Sequence, residues 1–314
     1  MGTDQIKNYE IVCVGDLCAD LLIPCRPDKK ILYRCAGSVG NTVQVLGKMK
    51  QHPIFITPIG NDQNGRFLKH EMEACNVNMD YSFEMDKGNM YCLAVLDEQG
   101  ERTMFSWIPP WGGYPIFKKS DFSEELYGKT SIVFSSGMSL VNETESALAV
   151  LEFFERMKQN DSVLIFDLNI RSDSYGFDLK RRELFERMLH CADVILGSGL
   201  EEFGLVTGAD TLKEAALKLY SSGKCIVARD GKEPVLVTCD EGSFMVPVPG
   251  VNPVCTVGAG DTFDAAFLAA YRAELPIRSC VEFAGKVAGY MISHTGHLEI
   301  PDGLEEALKE GGHL

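Results

Sequence analysis

Along most of the chain, short apolar runs alternate with stretches whose hydrophobic residues recur every three or four positions. The runs at 11–15, 54–59, 131–134, 163–167, 193–196 and 225–228 have the length of buried strands. The segments 42–50, 66–75, 143–157, 181–190 and 211–221 carry the helical period, and two further helices follow at 260–271 and 277–294. Strands without a polar face, separated by helices, predict an α/β fold with a doubly wound, mostly parallel sheet and helices on both faces. Two segments break the alternation, because 17–33 and 88–107 read as strands with no helix between them. The second holds Asp97-Glu98-Gln99-Gly100 between CLAVL and RTMFSW, a hairpin signal. These strands predict a small separate sheet, inserted as roughly 17–35 and 88–111 and suited to act as a lid over a cleft. An antiparallel extension of the main sheet edge is the alternative. No repeat or low-complexity linker divides residues 1–314, which favours a single catalytic domain with an appendage.

Composition narrows the partners. The net charge is -15, from 45 acidic and 30 basic residues, opposite in sign to a surface that binds nucleic-acid phosphates. No basic cluster points to a membrane surface, and no apolar run approaches the ~18 residues of a membrane span. The 11 cysteines are scattered, odd in number and never spaced CxxC, so neither a disulfide scaffold nor a zinc site is expected. The stretch MGTDQIKNYE carries no signal-peptide pattern, and Ile6 spoils a myristoylation match. A cytoplasmic protein with reduced thiols is expected, in which the sequon Asn142-Glu143-Thr144 has no role.

Two familiar nucleotide motifs fail. Gly258-Ala259-Gly260-Asp261-Thr262-Phe263 lacks the third glycine of a Rossmann turn and lies far down the chain. Gly128-Lys129-Thr130 ends like a phosphate-binding loop, but Ser123 replaces the first glycine and Glu124 and Glu125 would repel phosphate. The stretch VCTVGAGDTFDAAF at 254–267 carries more. Its glycines permit a tight turn and close backbone approach. The small residues then enter a helix, which gathers bare N–H groups at the positive end of the dipole: an anion hole without a lysine. Asp261 falls in the first turn, where that dipole favours the ionised carboxylate. The plain alternative is a glycine-rich connection with an acidic residue stabilising a helix start.

This segment closely resembles the signature of PfkB-type (ribokinase-like) carbohydrate kinases, and further matches follow in order over almost the whole chain. Gly15-Asp16-Leu17-Cys18-Ala19-Asp20 resembles the first-strand motif, Ala36-Gly37-Ser38-Val39-Gly40-Asn41 the glycine-rich substrate loop, and Gly60-Asn61-Asp62-Gln63-Asn64-Gly65 the GDDxxG motif. Asp167-Leu168-Asn169-Ile170-Arg171 resembles the DxNxR strand end, and Glu202 the glutamate of NxxE. The resemblance implies a doubly wound core with a β-sheet lid, and transfer of the γ-phosphoryl group of ATP, with Mg2+, to a hydroxymethyl group of a sugar or nucleoside. It casts Asp261 as general base and Gly258, Ala259 and Gly260 as the anion-hole turn, with the N–H groups of Ala259, Gly260 and Asp261 holding phosphoryl charge. Asp20, Gly37, Asn41, Asn169 and Arg171 are implied at the acceptor, and Glu202, Gly231 and Gly296 on the nucleotide side; no metal-ligating residue is assigned. Asn41 is equally suited to cap the helix at 42–50, and Arg171 to a structural ion pair.

The departures carry expectations of their own. Cys255 stands where the family has an aspartate of its monovalent-cation site, so little potassium activation is expected. Gly199 replaces the asparagine of NxxE, and Pro234 the second glycine of the nucleotide-loop GxxG. Trp107 and Trp111, on or just after the lid hairpin, suit either a pocket wall or a homodimer formed lid to lid. Asp264, in the turn after Asp261, is expected to tolerate replacement far better than Asp261. The histidines show no ligand spacing. Two rival classes remain: a sugar- or nucleotide-binding sensor without turnover, which the nucleotide-side departures motivate, and a nicotinamide oxidoreductase, which the failed fingerprint opposes.

Overall fold

The computed structural model describes residues 9–24, 30–96, 102–108, 112–141, 144–294 and 296–312. The first half runs through β1 (Tyr9–Val14), β2 (Cys18–Pro24), β3 (Leu32–Ala36), α1 (Ser38–Lys48), β4 (Ile54–Ile56), β5 (Pro58–Gly60), α2 (Gln63–Ala74), β6 (Phe83–Met85), β7 (Gly88–Asn89), β8 (Tyr91–Leu96), β9 (Arg102–Trp107) and β10 (Gly112–Gly113). The second half runs through β11 (Thr130–Ser136), α3 (Thr144–Gln159), β12 (Val163–Asp167), α4 (Ser172–Tyr175), α5 (Leu179–Cys191), β13 (Val194–Ser198), α6 (Gly199–Thr207), α7 (Leu212–Leu219), β14 (Cys225–Asp230), β15 (Glu233–Cys239), β16 (Gly242–Val246), α8 (Ala259–Arg272), α9 (Ile277–Ile292) and α10 (Leu304–Lys309).

The large sheet has the order β16-β15-β14-β13-β12-β11-β1-β4. From β4 to β14 all neighbours are parallel, and β15 and β16 add an antiparallel edge. Successive residues of β1 divide between two cores. Ile11 and Cys13 join a cluster with α1, α2, α8, α9 and α10, whereas Val12 and Val14 join one with α3, α5 and α7. That two-sided burial is why the parallel strands read as unbroken apolar runs. The strand order reverses between β1 and β11, and in doubly wound sheets ligands bind beyond the carboxyl ends of the strands at such a reversal.

The second sheet, β3-β2-β8-β9, is separate from the first, as the sequence leads one to expect. The strands β2 and β8 are parallel, and each outer strand is antiparallel to its neighbour. The pairing of Leu96 with Arg102 closes the expected hairpin. The turn Asp97–Gly100, Trp111, the side chain of Trp107 and Asn142-Glu143 lie outside the described residues.

Three local expectations differ from the structure. The run 54–59 is two strands: β4 joins the large sheet, while β5 turns away at Pro58 and pairs with β6. The helix expected at 42–50 begins at Ser38, because Asp16 accepts the Ser38 and Val39 N–H groups at 2.8 and 3.2 Å and supplies a cap from another part of the chain. The β15–β16 edge hairpin and α6 carried no strong periodic signal and were not anticipated.

Candidate active site

Helix α8 is preceded by Gly258, whose φ of 81° is strained for any residue with a side chain; a Cβ there would also lie 2.7 Å from Leu298 Cδ2. The Ala259 N–H donates to Thr256 O at 3.2 Å. This removes Ala259 from the three N–H groups expected to hold phosphoryl charge. The N–H groups of Gly260 and Asp261 have no protein acceptor among the described residues and stand at the positive end of the helix.

Asp261 opens onto the cavity between α1 and α8. Its Oδ2 accepts from Asn41 Nδ2 at 2.7 Å, and Thr42 Oγ1 donates to the Asp261 carbonyl at 3.3 Å. Burial pushes the Asp261 carboxyl up to about 7; the Asn41 hydrogen bond opposes this, and the Asp167 charge adds to it. The helix-dipole argument alone leads one to expect a firmly ionised carboxylate. Desolvation reverses that expectation, so Asp261 is poised between charged and neutral near pH 7. Asn41 Oδ1, buried beside it, has no hydrogen-bond partner among the described residues.

The loop before α1 completes this wall. Gly37 adopts φ 117°, and a Cβ there would approach Asp16 O to 2.6 Å. Asp20, on β2, is 9% exposed and sits in register with Arg34 and Cys92 on the flanking strands. Beyond β12, Asn169 and Arg171 both take left-handed backbone, with φ 30° and 51°. Asn169 donates to Ser38 Oγ and accepts from Arg171 Nε, each at 2.6 Å, which ties this strand end to the start of α1. Among the described residues the Arg171 side chain reaches Asn169 rather than a carboxylate.

Glu202 brackets two loops. Its oxygens accept from the N–H groups of Ile170 at 2.9 Å and Ser198 at 2.7 Å. Burial, with the Asp167 charge second, pushes its carboxyl up to about 7. Deeper lies Arg229, which pairs with Asp264 at 2.5 Å and Asp167 at 2.6 Å. Burial works against its charge, and the facing carboxylates of Asp264 and Asp167 more than compensate, so the guanidinium stays charged; burial in turn pushes the Asp264 carboxyl well up, and the guanidinium opposes that. Asp264 is therefore a buried ion-pair partner, 1% exposed.

A cavity of about 550 Å³ unites these groups at the carboxyl edge of the large sheet, with Cys18, Asp20 and Cys92 of the small sheet on its other wall. Every expected site residue lines it except two. Gly231 lies in the exposed turn between β14 and β15, and Gly296 is exposed, with its N–H on Glu299. The residues 60–65 also lie off the cavity, where Asp62 caps α2 by accepting the Gly65 N–H at 2.8 Å. Sequence reasoning did not assign Asp16, Ser38 or Arg229. Arg229 alone left a trace, as a charge interrupting the apolar run of β14 at its carboxyl end.

A doubly wound sheet with a cavity at its carboxyl edge, walled by a second small sheet, defines a ribokinase-like fold. The chain belongs to the pfkB family of carbohydrate kinases, whose sequence model matches residues 8–302. It is similar to a fructokinase of Klebsiella pneumoniae, 28% identical over 268 residues that cover 83% of this chain and 84% of that protein. It also resembles an aminoimidazole riboside kinase of Salmonella typhimurium, 26% identical over 259 residues, 81% of this chain and 78% of that one. Among solved structures, fructokinase with bound ATP from Xylella fastidiosa superposes with a TM-score of 0.81 at 19% identity, covering 92% of this chain and 94% of that one. No helix among the described residues is long and apolar enough to cross a membrane.

Proposed function

We propose that the protein transfers the γ-phosphoryl group of ATP to a hydroxymethyl group of a sugar or sugar-like acceptor. The observation that carries this reading is Asp261: a carboxyl group poised near pH 7, fixed by Asn41, beside the unfilled N–H groups at the start of α8. A general base is most effective when its pKa lies near the working pH. Asp261 accepts the proton of the attacking hydroxyl, and the N–H groups of Gly260 and Asp261 hold charge on the phosphoryl oxygens. Asp20, Asp261 and Asn41 Oδ1, the last without a partner among the described residues, are hydrogen-bond acceptors, so this end of the cavity calls for O–H donors, as a polyol supplies. The small sheet acts as a lid that keeps water from competing as acceptor.

The donor set fits Mg2+ carried on nucleotide phosphates rather than a protein cage. No group of three or more His, Cys, Asp or Glu among the described residues could hold a metal, and the oxygens of Glu202 are already committed to backbone N–H groups. Glu202 and Asp167 would hold such an ion through water, and the ion would neutralise phosphate charge. The reading is tested by ADP formation across a panel of sugars, sugar acids and nucleosides. Turnover with a sugar or sugar acid is expected; turnover with nucleosides alone assigns a nucleoside kinase, and binding without turnover makes the protein a sensor.

A further inference from the structure

None of the roles above involves Arg229, a charge on the last of the parallel strands that is 9% exposed. Its guanidinium is used on every side. Nη1 donates to Gly260 O at 3.0 Å and to Asp264 Oδ1 at 2.5 Å, Nη2 to Asp167 Oδ1 at 2.6 Å, and Nε to Gly197 O at 3.2 Å. The Phe263 ring lies 5.3 Å away. These acceptors belong to the first turns of α8 and to the carboxyl ends of β12 and β13, so one cation ties the helix start to the strand ends that line the cavity. Gly260 O and the Asp261 N–H share one planar peptide and point in opposite directions. Fixing that oxygen on the Arg229 side therefore fixes the aim of the Asp261 N–H on the other.

We propose that Arg229 is a positioning residue for phosphoryl transfer: by holding Gly260 and Asp264 it keeps the anion-binding N–H groups and the Asp261 carboxylate aligned with the rest of the cavity. The inference rests on the kinase reading above. A lysine cannot replace the planar fork that reaches several acceptors at once. Stability alone does not call for such a group, because buried ion pairs exchanged for well-packed apolar residues often leave a protein as stable as before.

The test compares Arg229→Met, Arg229→Lys and the double variant Arg229→Met with Asp264→Leu, measuring melting temperature, kcat and acceptor KM on an acceptor verified with the unaltered enzyme. Arg229→Met should melt early, because its carboxylate partners are left unpaired. The double variant should recover most of the melting temperature yet keep a kcat about 10²-fold below normal, the scale of a displaced catalytic group or a lost oxyanion donor. Its acceptor KM should stay near normal. Arg229→Lys should fall between, with charge kept and the fork lost. Recovery of both melting temperature and kcat in the double variant would reduce Arg229 to a structural ion pair and overturn the proposal. So would a rise in KM at unchanged kcat. Absence of turnover in the unaltered enzyme is a separate result, visible before any variant is made, and removes the kinase reading and this inference together.

Discussion

Replacing Asp261 by asparagine separates proton acceptance from everything else the residue does. The carboxylate takes one hydrogen bond, from Asn41 Nδ2 at 2.7 Å. An asparagine keeps that bond by presenting its carbonyl oxygen to Asn41, and its amide nitrogen then faces the cavity, where it cannot accept a proton. Loss of a general base costs ~10²–10⁴-fold, or about 2.7–5.4 kcal/mol of barrier. We expect kcat to fall by that factor in Asp261→Asn while both substrates still bind. In the unaltered enzyme kcat/KM should decline as pH drops below about 7, because the base must be deprotonated and its pKa lies there. Stability should move the other way. An unfolded aspartate titrates near 3.9, whereas Asp261 in the fold titrates at about 7. Between these values the native state binds a proton the unfolded state does not, so this group removes stability as pH rises from about 4 to 7. Three pKa units set a ceiling of ~4 kcal/mol, which water in the cavity lowers. Asp261→Asn should therefore melt higher than the unaltered protein at about pH 8 and equally at about pH 4. The assays are steady-state kinetics against pH and thermal melting at both pH values. Near-normal turnover in Asp261→Asn on a verified acceptor would refute the general-base reasoning.

Asp20→Ala should raise acceptor KM and leave nucleotide KM unchanged, since each hydrogen bond to the carboxylate contributes ~1.5–3 kcal/mol; an unchanged acceptor KM would remove Asp20 from the acceptor site. With Cys255 in place of a carboxylate, potassium should activate weakly or not at all, and Cys255→Asp should increase the effect; a large potassium dependence of the unaltered enzyme would show that other oxygens complete a cation site. The small sheet leaves Leu32, Tyr33 and Val95 at least 40% exposed, and we expect a homodimer through this lid, detectable by sedimentation and weakened by Leu32→Lys; a monomer at micromolar concentration would eliminate it.

The apolar alternation was enough to read the class of fold, because parallel strands buried on both faces need unbroken hydrophobic runs and the helices between them need one apolar stripe. The turn at 258–261 was equally readable, since a left-handed backbone such as that of Gly258 selects glycine locally. What the tertiary structure decided is what depends on distant parts of the chain meeting. Asp16 caps a helix that begins 22 residues later, and Arg229 joins a carboxylate 62 positions away, so neither partnership can be read from the local sequence. The resemblance puts Gly231 and Gly296 on the nucleotide side, and neither lines the cavity. The state of Asp261 depends on assembly most of all. Its helix position argues for a charged group, but the protection from water that raises its pKa exists only once α1, α8 and the end of β12 close around it. Helix dipoles can be read along a sequence; desolvation is a property of the surroundings, and only the folded chain supplies those.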